Sequence, residues 1–267
     1  MTVVPGKSPR KPSTVRPPEK PRPSRVPIIV PVQPSDSAEA EEEETDSPSS
    51  ENASGETPGE QKLEKPFYTQ VVWSEGIKIQ APANVAREAL TNAQTWTRRM
   101  LANCPQVKQR LVESNATIII FGRHQELTDL PENQGFARLF LEPGIRGMSR
   151  SNLAFVAEEN LLYLDDDKHN GEGVLVHELA HVVEHIVLTG KWHDRLELAY
   201  AKAKYADLWE GRYASSNSHE YFAELAQMYF GVARIGKTGG INGALSLRRH
   251  DPNGYELVDA TFSDSLP

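Results

Sequence analysis

The sequence has a single cysteine, Cys104. No disulfide can therefore form within the chain, and a structural zinc site built from thiolates is excluded. Cys104 reads as a small packed residue between two helical stretches, since a catalytic thiol would need a histidine partner that the sequence does not identify. No apolar run approaches the length needed to cross a bilayer. The patch Ile28-Ile29-Val30, closed off by Pro27 and Pro31, is too short for the core of a secretion signal. These absences exclude a membrane partner and make the cytoplasm the default compartment.

Proline and charge, by contrast, are plentiful and unevenly placed. The first 34 residues are proline-rich and carry Lys7, Arg10, Lys11, Arg16, Lys20, Arg22 and Arg25 against Glu19 alone. The sign then reverses: Glu41-Glu42-Glu43-Glu44 stands with Asp36, Glu39 and Asp46 in a serine-rich stretch without a basic residue. Such blocks bury too little apolar surface to offset chain entropy, so residues 1–65 are expected to be a disordered arm. Pro18-Glu19-Lys20-Pro21 is compatible with a polyproline ligand, which makes a partner for the arm conceivable, although a plain solvated tether is the favoured reading. With a net +6 in the basic half and −10 in the acidic half, the total of −8 leaves −4 for the remainder. A mildly acidic domain argues against nucleic acid as partner.

Residues 66–267 carry the patterning of one folded domain. Phe67 to Trp73 and Ile77-Lys78-Ile79 read as extended chain. Asn84 is expected to cap a helix through Ala86, Leu90, Ala93, Trp96 and Met100, spaced three and four apart, and Pro105 to start a shorter one through Val107 and Leu111. Ala116 to Phe121 is a β-branched apolar run of central-strand type. The pattern loosens over 122–151, where Pro143-Gly144 marks a turn and Arg146 reads as a surface charge near a cleft edge formed by 140–155. A further strand is expected over Asn160 to Leu164, ended by three aspartates. The fold class is α+β: mostly helical, with a small sheet.

The chemistry concentrates in the helix predicted over 174–188, stopped by Gly190. His177-Glu178-Leu179-Ala180-His181 fits the pattern H-E-x-x-H. Residues four apart lie one turn above each other, so both imidazoles can reach one ion. Glu178, one residue round from His177, can face the open position without ligating and serve as general base. A catalytic zinc takes three protein ligands plus water, so a third is required. The metzincin arrangement is excluded, because its third ligand would fall at Val187 and its glycine at Glu184. His185 has rotated away and reads as a polar group at the helix rim. A second helix is expected through 218–230, capped by Asn217 or Ser218. On it Glu220 and Glu224 share a face, so that one can bind metal while the other orients a ligating imidazole. His219 is an alternative ligand, set about a quarter turn away.

The two segments, His177-Glu178-Leu179-Ala180-His181 and Glu220-Tyr221-Phe222-Ala223-Glu224, resemble the gluzincin peptidases. More closely, the chain resembles the catalytic domain of the anthrax lethal factor family, which includes secreted proline-proline endopeptidases. The resemblance also takes in Tyr213, seven residues before Glu220. It implies a zincin-like metallopeptidase domain holding one zinc ion on His177, His181 and Glu220. Glu178 would be the general base, Tyr213 the donor to the developing oxyanion, and Glu224 the support of a zinc-bound histidine. A zinc-dependent endopeptidase acting on a peptide or protein substrate, secreted by analogy, is then the expected function. The contrasting expectation is a non-catalytic metal-binding or regulatory protein that keeps the fold.

Overall fold

In a computed structural model of the chain, residues 66–263 are described, apart from 136–138 and 140. The arm expected over 1–65 lies outside the described residues. Five strands form a mixed sheet in the order β1-β2-β3-β5-β4. They are β1 (Gln70–Ser74), β2 (Ile77–Ala81), β3 (Thr117–Phe121), β4 (Gly147–Arg150) and β5 (Leu153–Ala157). The hairpin β1-β2 turns through Glu75 and Gly76, both at positive φ, the conformation a two-residue hairpin demands. β2, β3 and β5 run parallel, and β4 returns antiparallel to β5 as an outer strand.

The central strand β3 is buried at every residue. Its alternation divides the core in two: Ile118 and Ile120 face the helices, while Ile119 and Phe121 pack with Leu127, Leu130 and Phe155 on the other side. A strand covered on both faces has no need of polar residues at alternate positions, which is why it reads as an unbroken apolar run. α1 (Arg87–Leu101) and α2 (Pro105–Glu113) make the crossover from β2 to β3. Cys104 lies buried where one ends and the next begins. Among the described residues no helix is long and apolar enough to span a membrane.

Several local expectations are corrected. Asn84 does not cap α1. The helix begins at Arg87 behind Ala86, whose N–H donates to Glu158, while Asn84 donates to Gln125. The strand expected over Asn160–Leu164 is instead Leu153–Ala157, and the chain then coils into the short helix α3 (Glu158–Leu161). Here the polar residues are inside. Asn160 donates to the Glu172 carbonyl and accepts from Val174 N–H, so it caps the following helix from a distance. The stretch 122–151 is not all loop, because it ends in β4. Arg146 is no surface charge: it is 5% exposed and forks onto Glu159, with one N–O separation of 2.9 Å, while donating to the carbonyls of Gly122 and Gln125. Its own carbonyl accepts from Ala157, so the pair pins the entry of β4 to the end of β5.

Breaking this buried pair from one side should be costly. Arg146→Met is expected to lose about 3–5 kcal/mol in urea unfolding because Glu159 is left charged and unpartnered. The double replacement Arg146→Met with Glu159→Leu should recover most of that loss, and equal losses in the single and the double would contradict the assignment.

Candidate metal centre and active site

Two helices build the site. α4 (Val174–Val187) carries His177, Glu178 and His181, and α6 (Ser218–Phe230) carries Glu220 and Glu224. Between them lies α5 (Lys191–Tyr205). α4 is apolar on most sides because it packs under β4 and β5 as well as against α6; Val176, Leu179, Ala180 and Val183 are buried. α6 starts where it does because the Asn217 side chain accepts from Glu220 N–H at 2.8 Å, which fixes the first turn at the very residue that faces the histidines. Gly231, left-handed at φ 76°, ends it.

The two helices run in opposite directions and are tied at both ends. At one end Gln227 donates to the Gly173 carbonyl and Gly173 N–H to Val232. At the other, His219 Nδ1 meets the buried Glu184 at 3.1 Å. His219 is thus engaged away from the histidine pair. His185 points to solvent, as its place at the helix rim predicts.

Between the ties, His177 Nε2 stands 3.1 Å from Glu220 Oε2 and 3.1 Å from His181 Nε2, and His181 Nε2 lies 3.4 Å from Glu220 Oε2. Ligand atoms about 2.1 Å from a tetrahedral zinc stand about 3.4 Å apart, so this triangle has the size a zinc ion requires. Two imidazole nitrogens and one carboxylate oxygen also match zinc's preference in donor type. Among the described residues, these three form the group of metal-ligating side chains that can hold an ion. Glu224, 4% exposed, approaches the opposite ring nitrogen of His177, Nδ1, at 3.7 Å. Tyr213, in the 3-10 turn Tyr213–Ser215, lays its ring against that of His177, with centroids 6.3 Å apart and planes at 29°.

Glu178 is buried on α4 directly beneath the outer strand. A Cβ on Gly147 of β4 would stand 2.8 Å from Glu178 Oε1 and would overlap Val174 Cγ1. Glycine is therefore what lets the strand lie on the helix at this point. Position 147 falls within the stretch that the sequence assigns to a cleft wall.

The electrostatics follow from burying three carboxylates, those of Glu178, Glu220 and Glu224, around two imidazoles. Burial opposes charge on His177, but its bond to Glu220 and the charges of Glu178, Glu220 and Glu224 outweigh it and push its pKa up to about 10. Burial would raise Glu220 too, yet hydrogen bonds with both histidines hold it well below the ordinary carboxylate range. Glu178 and Glu224 move the other way, raised first by burial and only partly pulled back by the imidazoles. The Tyr213 hydroxyl is also raised, by burial and then by Glu220, and so stays a proton donor.

Other groups around the site have no sequence signal. Glu172, 5% exposed, pairs with Lys237, and its pKa is lowered to about 2 because hydrogen bonds with His169 and Lys237 overcome burial. Asp251 is buried and accepts from Tyr221, Trp209 and Gly254, tying α6 to the chain that leads toward Tyr213. Only a chain path that brings distant residues together could have revealed these pairings.

No protein-family model matches the chain, and no curated protein matches it in sequence. Among solved structures, the Pro-Pro endopeptidase PPEP-2 from Paenibacillus alvei is similar at 18% identity and a TM-score of 0.41, over 69% of this chain and 96% of that one.

The raised pKa of His177 favours the protonated ring in the metal-free protein, so an ion that takes this ring nitrogen would have to displace a proton. Zinc affinity should therefore fall about tenfold for each pH unit lowered below the His177 pKa, for one proton exchanged. Calorimetric titration with zinc in buffers of different ionisation enthalpy should count about one proton released per ion. Affinity that does not change with pH would contradict the raised pKa.

Proposed function

We propose that the chain is a zinc-dependent endopeptidase of the gluzincin type, hydrolysing peptide bonds in a peptide or protein substrate. The observation that carries the reading is the triangle of His177, His181 and Glu220 donor atoms, with Glu178 buried beside it and Tyr213 stacked on His177. The motif resemblance to lethal-factor-type catalytic domains assigns the same residues to the same roles.

His177, His181 and Glu220 would hold the ion, and Glu224 would orient the His177 ring from its far nitrogen. A zinc ion in this donor set supplies Lewis-acid polarisation of the scissile carbonyl and a water of lowered pKa. Glu178 takes a proton from the attacking water, and its raised pKa suits it to keep that proton briefly and pass it to the departing amine. The Tyr213 hydroxyl donates to the oxygen on which negative charge develops. β4 would receive the substrate. Among the described residues it is the outer strand of the sheet, paired with β5, it lies directly over Glu178 through Gly147, and an extended peptide can add to its outer edge.

Cleavage of a mixed peptide library by the zinc-loaded protein, abolished by a chelator and restored by zinc, tests the reading. Glu178→Gln should keep one zinc per chain and lose about 10²–10⁴-fold in turnover, the usual contribution of a positioned base. Glu220→Ala should lose the metal itself. Full activity in the first variant, or unchanged zinc stoichiometry in the second, would remove that residue from its role. Gly147→Ala should keep zinc and depress kcat, because the new methyl displaces Glu178; wild-type kinetics there would show that β4 does not bear on the base.

A further inference from the structure

The turn that carries Tyr213 is held by a segment far along the chain. α7 (Ile235–Thr238) and the two glycines behind it follow α6. Gly239 and Gly240 both have positive φ, so the segment doubles back on itself. Arg212, next to Tyr213, reaches into this bend. Its Nη1 donates to the Lys237 carbonyl at 2.8 Å. Its guanidinium lies flush against Gly239, where an added Cβ would overlap Nη2. The far side of the bend is fixed as well: Lys237 Nζ pairs with buried Glu172 at the approach to α4, and the Glu172 carbonyl accepts from Asn160, which caps α4.

We propose that the 235–239 bend is a brace that sets Tyr213 against the His177 ring, with Arg212 as the positioning residue. The proposal rests on Tyr213 as the oxyanion donor and extends that role to what holds the tyrosine in place. The local chain cannot do this alone. Tyr213 sits in one short 3-10 turn, whose bonds run from Ser215 and Ser216 back to Arg212 and Tyr213. A turn so short fixes its own shape but not its direction relative to α4. That direction needs contacts outside the turn: Tyr200 donates its hydroxyl to the Ser215 carbonyl at 2.9 Å and Ala214 is buried, which seats the far end of the turn, while the Arg212 bond to the Lys237 carbonyl ties down the end that bears Tyr213. Lys237 in turn is tied to Glu172, so the tyrosine and the start of the metal helix are referred to one common point. A planar guanidinium is stiffer than a single ammonium contact, which suits arginine to this place. Glycine at 239 is required for two reasons: its backbone is left-handed, and the guanidinium occupies the space of a side chain.

Two variants attack the contact from opposite sides. Arg212→Met removes the guanidinium, and Gly239→Ala pushes it away while leaving it in the chain. In the zinc-loaded full chain, the ring-current shift that Tyr213 imposes on the His177 ring protons is read by NMR, with Tyr213→Ala defining its complete loss. Both variants should move the His177 shift toward the Tyr213→Ala value while zinc stays at one per chain. With a peptide taken from the library, Arg212→Met should lower kcat about tenfold to a hundredfold with KM little changed, as misplacement of a group acting in the transition state does. Tyr213→Phe should cost about 10²–10³-fold, and combining it with Arg212→Met should cost no more than Tyr213→Phe alone. The brace is overturned if the His177 shift stays at its wild-type value in both variants, or if the two kinetic losses multiply. Should Tyr213→Phe retain full activity, the catalytic role of the tyrosine fails, and the His177 shift by itself still decides for or against the brace.

Discussion

The molecule is organised around the crossing of α4 and α6, where the rings of His177 and His181 meet the carboxylates of Glu220 and Glu224 inside an otherwise apolar interface. Charges taken out of water are costly unless each finds a partner. Here the arrangement satisfies that condition in a particular way. Glu220 is held ionised by both imidazoles, while Glu178 and Glu224 are driven toward the neutral form. The same set of groups that burdens the metal-free interface is the set that a dication would relieve. A bound dication would thus draw its affinity from the same electrostatic balance that limits the stability of the metal-free interface.

Around that crossing the chain repeats one device: a buried polar group paired with a residue far away in sequence, placed where an element must not slide. His219 on Glu184 and Gln227 on Gly173 set the spacing of the two helices. Arg146 on Glu159 sets the start of the outer strand, and Asp251 gathers Tyr221 and Trp209. Lys237 on Glu172 stands behind the start of α4. Such pairs add little net stability compared with apolar packing of the same volume, but their directionality fixes geometry. Apolar contacts among Leu179, Val183, Phe222 and Leu225 bring the helices together; the polar ties decide where they stop.

The outer strand shows how little separates a structural position from a chemical one. Gly147 and Arg146 are adjacent. The side chain of one is turned into the protein to lock the strand, and the absence of a side chain on the other lets that strand rest on Glu178. A strand one residue out of register would present Met148 to the helix instead of glycine, and the contact could not form.

The grouping of His177, His181 and Glu220 was legible in the sequence because their spacing carries the information. His177 and His181 lie four apart on a strongly apolar helix, Glu220 and Glu224 lie four apart on another, and helical geometry alone puts each pair on one face. The central strand was legible for a similar reason, since only a β-branched run covered on both sides looks like Thr117–Phe121. Arg146 was misread because polarity was taken as exposure, and Asn160 because it was placed at the start of a strand. A buried polar residue differs from an exposed one only by its partner, and those partners lie at Glu172, Val174 and Glu159, which no local pattern connects to them. Periodicity therefore determined which side chains share a helix face. The tertiary structure alone decided which faces meet, how far apart they stop and which charges are buried together, because these depend on contacts between residues that the sequence keeps tens of positions apart.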